Sequence, residues 1–184
     1  MEIIALSGWA RSGKDTIADH LVEKHGFIKL SFATPMREAL YKLDPEIRDM
    51  TGLVYHFRQA VNLFGWEDMK TYFPEYRGLM QRMGTEVGRE MFGENFWVEQ
   101  AFKQIPEGAK VVFADCRYQN EASAVRDVGG EIWRISKPGV EAANDHTSEH
   151  DLNNYTFDSY VFNISTIEEL KRTVDDKYST IRRS

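Results

Sequence analysis

The sequence predicts an α/β fold built on a five-stranded parallel sheet. Short apolar runs alternate with helical patterns along most of the chain, the order that produces parallel strands joined by helical crossovers. Val111-Val112-Phe113-Ala114 is apolar throughout, which suits a strand covered on both faces. A glycine-bearing stretch, Gly8 to Thr16, separates the first apolar run from the first helical pattern. The 184 residues suit a single domain with an inserted lid. A chain of this length typically buries about 70% of its unfolded surface, so a core is attainable without disulfides.

Each element has its own signal. Ile3-Ile4-Ala5-Leu6 reads as a buried strand. Asp15 to His25 reads as a helix with Ile17, Ala18, Leu21 and Val22 on one face, stopped by Gly26. Phe27 to Phe32 reads as a second strand, and Pro35 opens a helix carrying Met36, Ala39, Leu40 and Leu43. Residues 44–104 read as helical and rich in aromatics. Within them Leu79, Met80, Met83, Val87 and Met91 make an apolar face opposite Arg82, Thr85, Glu86 and Arg89. Gly84 and Gly88 on that helix imply close approach by a neighbour. Val111 to Ala114 is the third strand, Gln119 to Asp127 a short helix ended by Gly129-Gly130, and Glu131 to Ser136 and Tyr160 to Ile164 two further strands. Residues 137–158 read as a polar loop. Thr166 and Glu169 stand in capping-box spacing before a helix with Ile167, Leu170, Val174, Tyr178 and Ile181 in its stripe.

The chemistry concentrates at Gly8-Trp9-Ala10-Arg11-Ser12-Gly13-Lys14-Asp15-Thr16. A glycine-rich turn between strand and helix points backbone N–H groups inward, and the helix N-terminus adds partial positive charge, so the loop reads as a phosphate site. Lys14 is placed to reach terminal phosphates as a point charge. The usual pattern puts Ser or Thr directly after that lysine. Here Asp15 intervenes and Thr16 follows. A carboxylate at a helix N-terminus also serves as a cap, so Asp15 has two readings, cap or metal-side ligand. Asp115, at the end of an apolar strand, is placed to hold Mg²⁺. Arg117 and Arg11 are placed for phosphate contact. By pattern alone Arg82 reads as a solvated charge paired with Glu86, itself paired with Arg89, and Arg37 is equally ambiguous.

Other features exclude functions. A formal charge of −6 argues against binding of duplex nucleic acid. The single cysteine, Cys116, rules out an internal disulfide and suits a reducing compartment; it reads as packed rather than reactive. The first residues show no basic segment followed by an apolar h-region, which argues against secretion, and no apolar run approaches transmembrane length. Arg182-Arg183 reads as a frayed tail. His146 to His150 matches H-x-x-E-H, but its Pro138-Gly139-led polar setting argues against zinc-peptidase chemistry. The aromatics from Tyr55 to Tyr76 read as core, with a homodimer face as the alternative.

Taken in order, the motifs resemble those of the bacteriophage deoxynucleoside monophosphate kinases, a branch of the nucleoside monophosphate kinase superfamily. Gly13-Lys14-Asp15-Thr16 resembles the family's G-K-D-T loop, and Ser31-Phe32-Ala33 with Pro35 and Arg37 its S-F-A-x-P-[KR] step. Gln81 to Glu86 resembles Q-R-x-G-T-E and is followed by Asn95-Phe96-Trp97. Asp115, Arg117 and Asn120-Glu121-Ala122 resemble D-x-R-x-x-N-E-A, and His146 with Ser148-Glu149 the H-x-S-E element. The resemblance implies a three-layer P-loop kinase fold with a helical acceptor-binding insertion at 33–100 and a lid at 137–158. It implies transfer of a phosphoryl group from ATP to a deoxynucleoside 5′-monophosphate, with Mg²⁺ as cofactor, in the cytoplasm (the host's, if the chain is phage-encoded).

By the same resemblance, Gly8, Ser12, Gly13, Lys14, Asp15 and Thr16 would bind ATP, and Lys14, Arg11 and Arg117 would neutralise the moving phosphoryl group. Thr16 and Asp115 would serve the metal, partly through water, and Arg37, Arg82 and Glu86 would hold the acceptor. Two alternatives stand beside this reading: a kinase of the same fold acting on phosphomevalonate or a sugar acid, and a non-catalytic ATP sensor.

Overall fold

The computed structural model describes residues 2–142 and 145–181. In chain order it runs β1 (Glu2–Ser7), α1 (Lys14–His25), β2 (Ile28–Leu30), α2 (Thr34–Leu43), β3 (Glu46–Arg48), β4 (Val54–His56), α3 (Phe57–Tyr72) and α4 (Glu75–Arg82). A π-helical stretch (Met83–Met91), α5 (Phe96–Phe102), β5 (Lys110–Phe113), α6 (Gln119–Asp127), β6 (Glu131–Ser136), α7 (Thr147–His150), β7 (Ser159–Phe162) and α8 (Ile167–Ile181) complete it. The chain forms two units, one of residues up to 32 and from 104 onward, the other of residues 33–103.

The first unit holds the parallel sheet, in the order β2-β5-β1-β6-β7. Ile4 is level with Val112 on one side and Glu131 on the other, and Trp133 with Ser159. That register puts Ile4, Leu6, Val112, Ala114, Trp133, Ile135 and Val161 in one buried cluster with Ile17, Ala18 and Leu21 of α1 and Leu170, Val174 and Tyr178 of α8. The alternate residues Ile3, Ala5, Val111, Phe113 and Ile132 are buried as well, and α6 packs against β1 and β6. Both faces are covered, which is why these strands read as unbroken apolar runs. β1 occupies the centre, where connections depart to both sides, so the loop that follows it lies at the carboxyl-end crevice where ligands of such sheets bind. Gly26 ends α1 in the left-handed conformation, as its place in the sequence predicts. Thr166 Oγ1 accepts from Glu169 N–H at the start of α8. Ile167 is exposed, so the stripe of α8 begins at Leu170; the side chain of Ile181 and the Arg182–Arg183 tail lie outside the described residues.

The second unit is helical around Leu40, Ile47, Phe57, Ala60, Val61, Met69, Phe73 and Tyr76. The aromatics are therefore mostly core: Phe57, Phe73 and Tyr76 are buried and Tyr72 is exposed. Two features depart from the helical expectation. β3 and β4 pair as an antiparallel hairpin, whose turn is held by Asp49 Oδ1 accepting from Thr51 N–H, Thr51 Oγ1 and Leu53 N–H. The helix beginning at Glu75 widens to π geometry from Met83, and Met91, expected on its apolar face, is exposed. Among the described residues no helix is long and apolar enough to cross a membrane.

Candidate active site

The loop between β1 and α1 is fixed by its two glycines. Gly8 has φ +150°, and a Cβ there would lie 2.4 Å from the carbonyl oxygen of Ile135 and 2.8 Å from Ser12 Oγ. Gly13 has φ +107°, a left-handed value, and a Cβ would lie 2.7 Å from Asn163 Nδ2. The Asn163 amide donates to Ser12 O at 3.0 Å, so the residue after β7 pins the loop. Arg11 also sits at positive φ, 66°, which a non-glycine residue adopts at a cost of about 1–2 kcal/mol, and its side chain is exposed.

Lys14 is the first residue of α1 and is buried. Its Nζ donates to the carbonyls of Gly8 at 2.6 Å and Trp9 at 2.8 Å, folding the side chain back across the loop. Burial, aided by the charge of Arg117, lowers its ammonium from the ordinary lysine value to about 8. Ile17 N–H bonds to Gly13 O, so the amides of Lys14, Asp15 and Thr16 belong to the first turn, which has no intrahelical acceptors. Ser12 Oγ is buried without a hydrogen-bond partner. A narrow glycine cradle, first-turn amides, a buried cation and an orphaned hydroxyl fit a polyphosphate.

Asp15 is resolved into a definite place. Gly13 holds the N-cap position, so the carboxylate does not cap the helix. Its side chain is 81% exposed and pairs with Lys29 Nζ at 2.9 Å, while Lys29 also reaches Asp19. Two acids thus share one lysine on the outer face of α1, next to the helix N-terminus.

Asp115, just beyond β5, accepts from Ser31 Oγ at 2.5 Å and Phe32 N–H at 2.9 Å. It thus ties the end of β5 to the end of β2. A carboxylate at a strand end is a hard oxygen donor of the kind Mg²⁺ takes, directly or through water, and half-buried Thr16 supplies a hydroxyl on α1. Arg117 is held at both ends. Its N–H donates to Glu121 Oε2 at 2.7 Å, and its Nη1 to Glu149 Oε1 at 2.5 Å. Cys116 between them is packed, and that burial, with Glu121 and Asp115 nearby, pushes its thiol well up.

The polar loop contains a single helical turn, α7. His146 caps it, Nδ1 accepting from Ser148 N–H at 3.2 Å. The H-x-x-E-H stretch is therefore helical, yet its glutamate is bonded to Arg117, and among the described residues His146 and His150 belong to no metal-ligand cluster. Trp9 Nε1 donates to Glu149 O at 3.4 Å. Arg134, half-buried, lies over the rings of Trp9 at 5.3 Å and Phe157 at 5.4 Å. Ser7, Gly8, Trp9, Arg117, Arg134 and Glu149 line one small pocket in this unit.

In the second unit, Arg37 on α2 lies 5.8 Å from the centre of the Trp66 ring, and its Nε is buried without a hydrogen-bond partner. The buried Tyr76 hydroxyl also lacks a partner, and burial raises its phenol against the opposing charge of Arg37. Arg82 and Glu86 are exposed, and among the described residues neither has an ion-pair partner, so the expected Arg82–Glu86 and Glu86–Arg89 pairs are not formed. The π geometry from Met83 is the reason: it changes the rotation per residue on which i,i+4 pairing rests. Gly84 and Gly88 do admit close neighbours. A Cβ on Gly84 would meet Met36 Sδ at 2.9 Å, and one on Gly88 would overlap Trp97 Nε1, which donates to Gly84 O at 3.1 Å.

No role for Glu121, Asn163, Arg134 or Tyr76 follows from the sequence pattern. Glu121 had a readable signal, a glutamate in the first turn after a strand-end loop. The other three are brought in by tertiary packing alone.

A model of the deoxynucleotide monophosphate kinase family matches residues 67–174, a span that includes Arg82, Glu86, Asp115 and Arg117. The chain is similar to a protein of Acanthamoeba polyphaga mimivirus provisionally named a deoxynucleotide monophosphate kinase, at 30% identity over 92% of each chain. It is also similar to the deoxynucleotide monophosphate kinases of Escherichia phage RB69, at 25% identity over 95% of this chain and 98% of the other, and of Enterobacteria phage T4, at 22% over 92% and 95%.

Proposed function

This chain belongs to the deoxynucleotide monophosphate kinase family, and from that premise we propose that it transfers the γ-phosphoryl group of ATP to a deoxynucleoside 5′-monophosphate, giving ADP and the diphosphate. The observation that carries the reading is the loop from Gly8 to Thr16. Its glycine cradle, buried Lys14 and orphaned Ser12 hydroxyl fit a polyphosphate.

ATP phosphates bind the loop through the backbone N–H groups of Lys14 to Thr16 and the Ser12 hydroxyl, with Lys14 released from Gly8 O and Trp9 O onto the β- and γ-phosphates. Thr16 and Asp115 would hold Mg²⁺, which when bound neutralises charge on those phosphates. Arg117 and Arg11 stabilise the charge spread over the transferring group. Glu149 orients the Arg117 guanidinium, and Glu121 fixes its backbone. The acceptor lies in the second unit, with Arg37 and Arg82 toward its phosphate and Glu86 beside them. Arg37 Nε and Tyr76 Oη, buried and orphaned, are groups that a bound monophosphate would satisfy. The attacking phosphate oxygen is already anionic, so no general base is needed, and positioning with charge neutralisation does the catalysis. Residues 137–158 act as the lid, with α7 bringing Glu149 to Arg117 and Trp9.

The test is ADP release with each deoxynucleoside monophosphate in turn, in ATP and Mg²⁺. At least one should stimulate release well above the rate with ATP alone. Absence of stimulation by every one would refute the reading.

A further inference from the structure

On the flank of the first unit, α1 and α8 bring together three groups that the phosphoryl-transfer chemistry does not use. His20 Nε2 and His25 Nε2 both point at Asp175 Oδ1, at 2.9 and 2.7 Å, and these donor atoms all lie within 4.8 Å of one another. His20 is buried, while His25 and Asp175 are partly exposed, leaving one open side. The other carboxylate oxygen, Oδ2, is occupied by Lys24 Nζ at 2.6 Å. The His25 ring rests on Tyr178, and Lys110 holds the His25 carbonyl and the Tyr178 hydroxyl, so the backing of the cluster is fixed. Burial works against ionisation of Asp175, but the hydrogen bonds from Lys24, His25 and His20 outweigh it and hold the carboxyl well below its usual range.

We propose that His20, His25 and Asp175 form a binding site for a borderline transition-metal dication of the Zn²⁺ or Co²⁺ type, bridging α1 and α8. Two imidazoles and a carboxylate are a donor set of zinc sites, with solvent taking the fourth position. Mg²⁺ and Ca²⁺ prefer oxygen donors and do not suit two imidazoles. In a tetrahedral site with bonds of about 2.0–2.1 Å the donors stand roughly 3.3 Å apart, so side-chain rotations of about an ångström convert the hydrogen-bonded cluster into the ligated one. On ligation each neutral ring carries its proton on Nδ1 instead of Nε2, through solvent. Lys24 stays on Oδ2, keeping the carboxylate monodentate and orienting it. Its charge, with that of Lys110, also weakens the site. A metal here would clamp the helix that begins at Lys14 to the helix whose Leu170 packs against Gly13.

The test uses the full chain, freed of metal by chelator and titrated with CoCl₂ or ZnCl₂ alone. One ion per chain should bind, with the intense visible absorption of a tetrahedral Co²⁺ site. Zn²⁺ at a hundredfold excess over its Kd should raise Tm by about 5–10 °C. His25→Gln and Asp175→Asn should each abolish the absorption, and excess Mg²⁺ should not compete. Lys24→Ala should tighten binding several-fold, because a cation next to the dication is removed; a cluster that serves only as a hydrogen-bonded staple has no such response. Should His25→Gln or Asp175→Asn fail to fold, the Lys24→Ala titration decides. No Co²⁺ bound by the wild type, equal binding by folded variants, or displacement by Mg²⁺ would overturn the proposal.

Discussion

Lys14 sits beneath its own loop with its ammonium lowered to about 8, by burial first and by the charge of Arg117 second. Phosphates bind the protonated form and raise its pKa in the complex. ATP affinity is therefore complete below about pH 8 and declines as pH rises through that value, while binding takes up a proton. Between pH 7.5 and 9.5 the Kd for ATP should rise roughly 25-fold, and titration calorimetry in buffers of different ionisation enthalpy should show proton uptake growing from about a quarter of a proton to nearly one. A Kd unchanged across that interval would contradict the role given to Lys14. Arg117 and Glu149 form a second residue-level pair. Arg117→Ala should lower kcat by about 10²–10³-fold, the loss typical of a group that stabilises transition-state charge, whereas Glu149→Gln should cost about tenfold, because it loosens an arginine that is still present. Equal losses would mean that Glu149 itself meets the substrate.

Among the elements, the π-helical stretch has an identifiable cause. The Trp97 indole lies against Gly88 and donates to Gly84 O, the carbonyl that Gly88 N–H would take in an α-helix. Gly88→Ala forces a methyl into the indole and should destabilise the chain by about 1–3 kcal/mol, whereas Trp97→Phe, losing one hydrogen bond, should cost about 1 kcal/mol; urea unfolding measures both. A Gly88→Ala chain as stable as wild type would refute this packing. The same stretch marks where the sequence was opaque. Its glycines announce a close neighbour, but the neighbour, Trp97, is supplied by the following helix, and no periodicity in residues 79–92 reveals the widened turn. The hairpin of β3 and β4 was hidden for another reason: each strand has three residues and only Ile47 is fully buried, too short for alternation to register. Its Asp49-Met50-Thr51-Gly52 turn was the readable clue. The β1 strand, the glycine loop, α1 and β5 were plain because apolar run, glycine turn and helical stripe agree there. Asp15 was ambiguous because sequence places it at a helix start without saying that Gly13 already occupies the cap.

For the whole molecule, the proposed function assigns ATP to the first unit and the acceptor to the second. Arg82→Ala and Arg37→Ala should therefore raise KM for the monophosphate by roughly 10–100-fold, the worth of one charge-assisted hydrogen bond, and leave the Kd for ATP within about twofold. Initial-rate kinetics with each substrate varied separates the two effects, and a parallel loss of ATP affinity would contradict the division. The central claim, that the Gly8–Thr16 loop passes a phosphoryl group from ATP to a deoxynucleoside monophosphate, is tested most directly by following label from γ-³²P-ATP. The wild-type chain should place it on the deoxynucleoside diphosphate, and folded Lys14→Met should place almost none there. Label recovered only as inorganic phosphate, or transfer undiminished in Lys14→Met, would contradict the account.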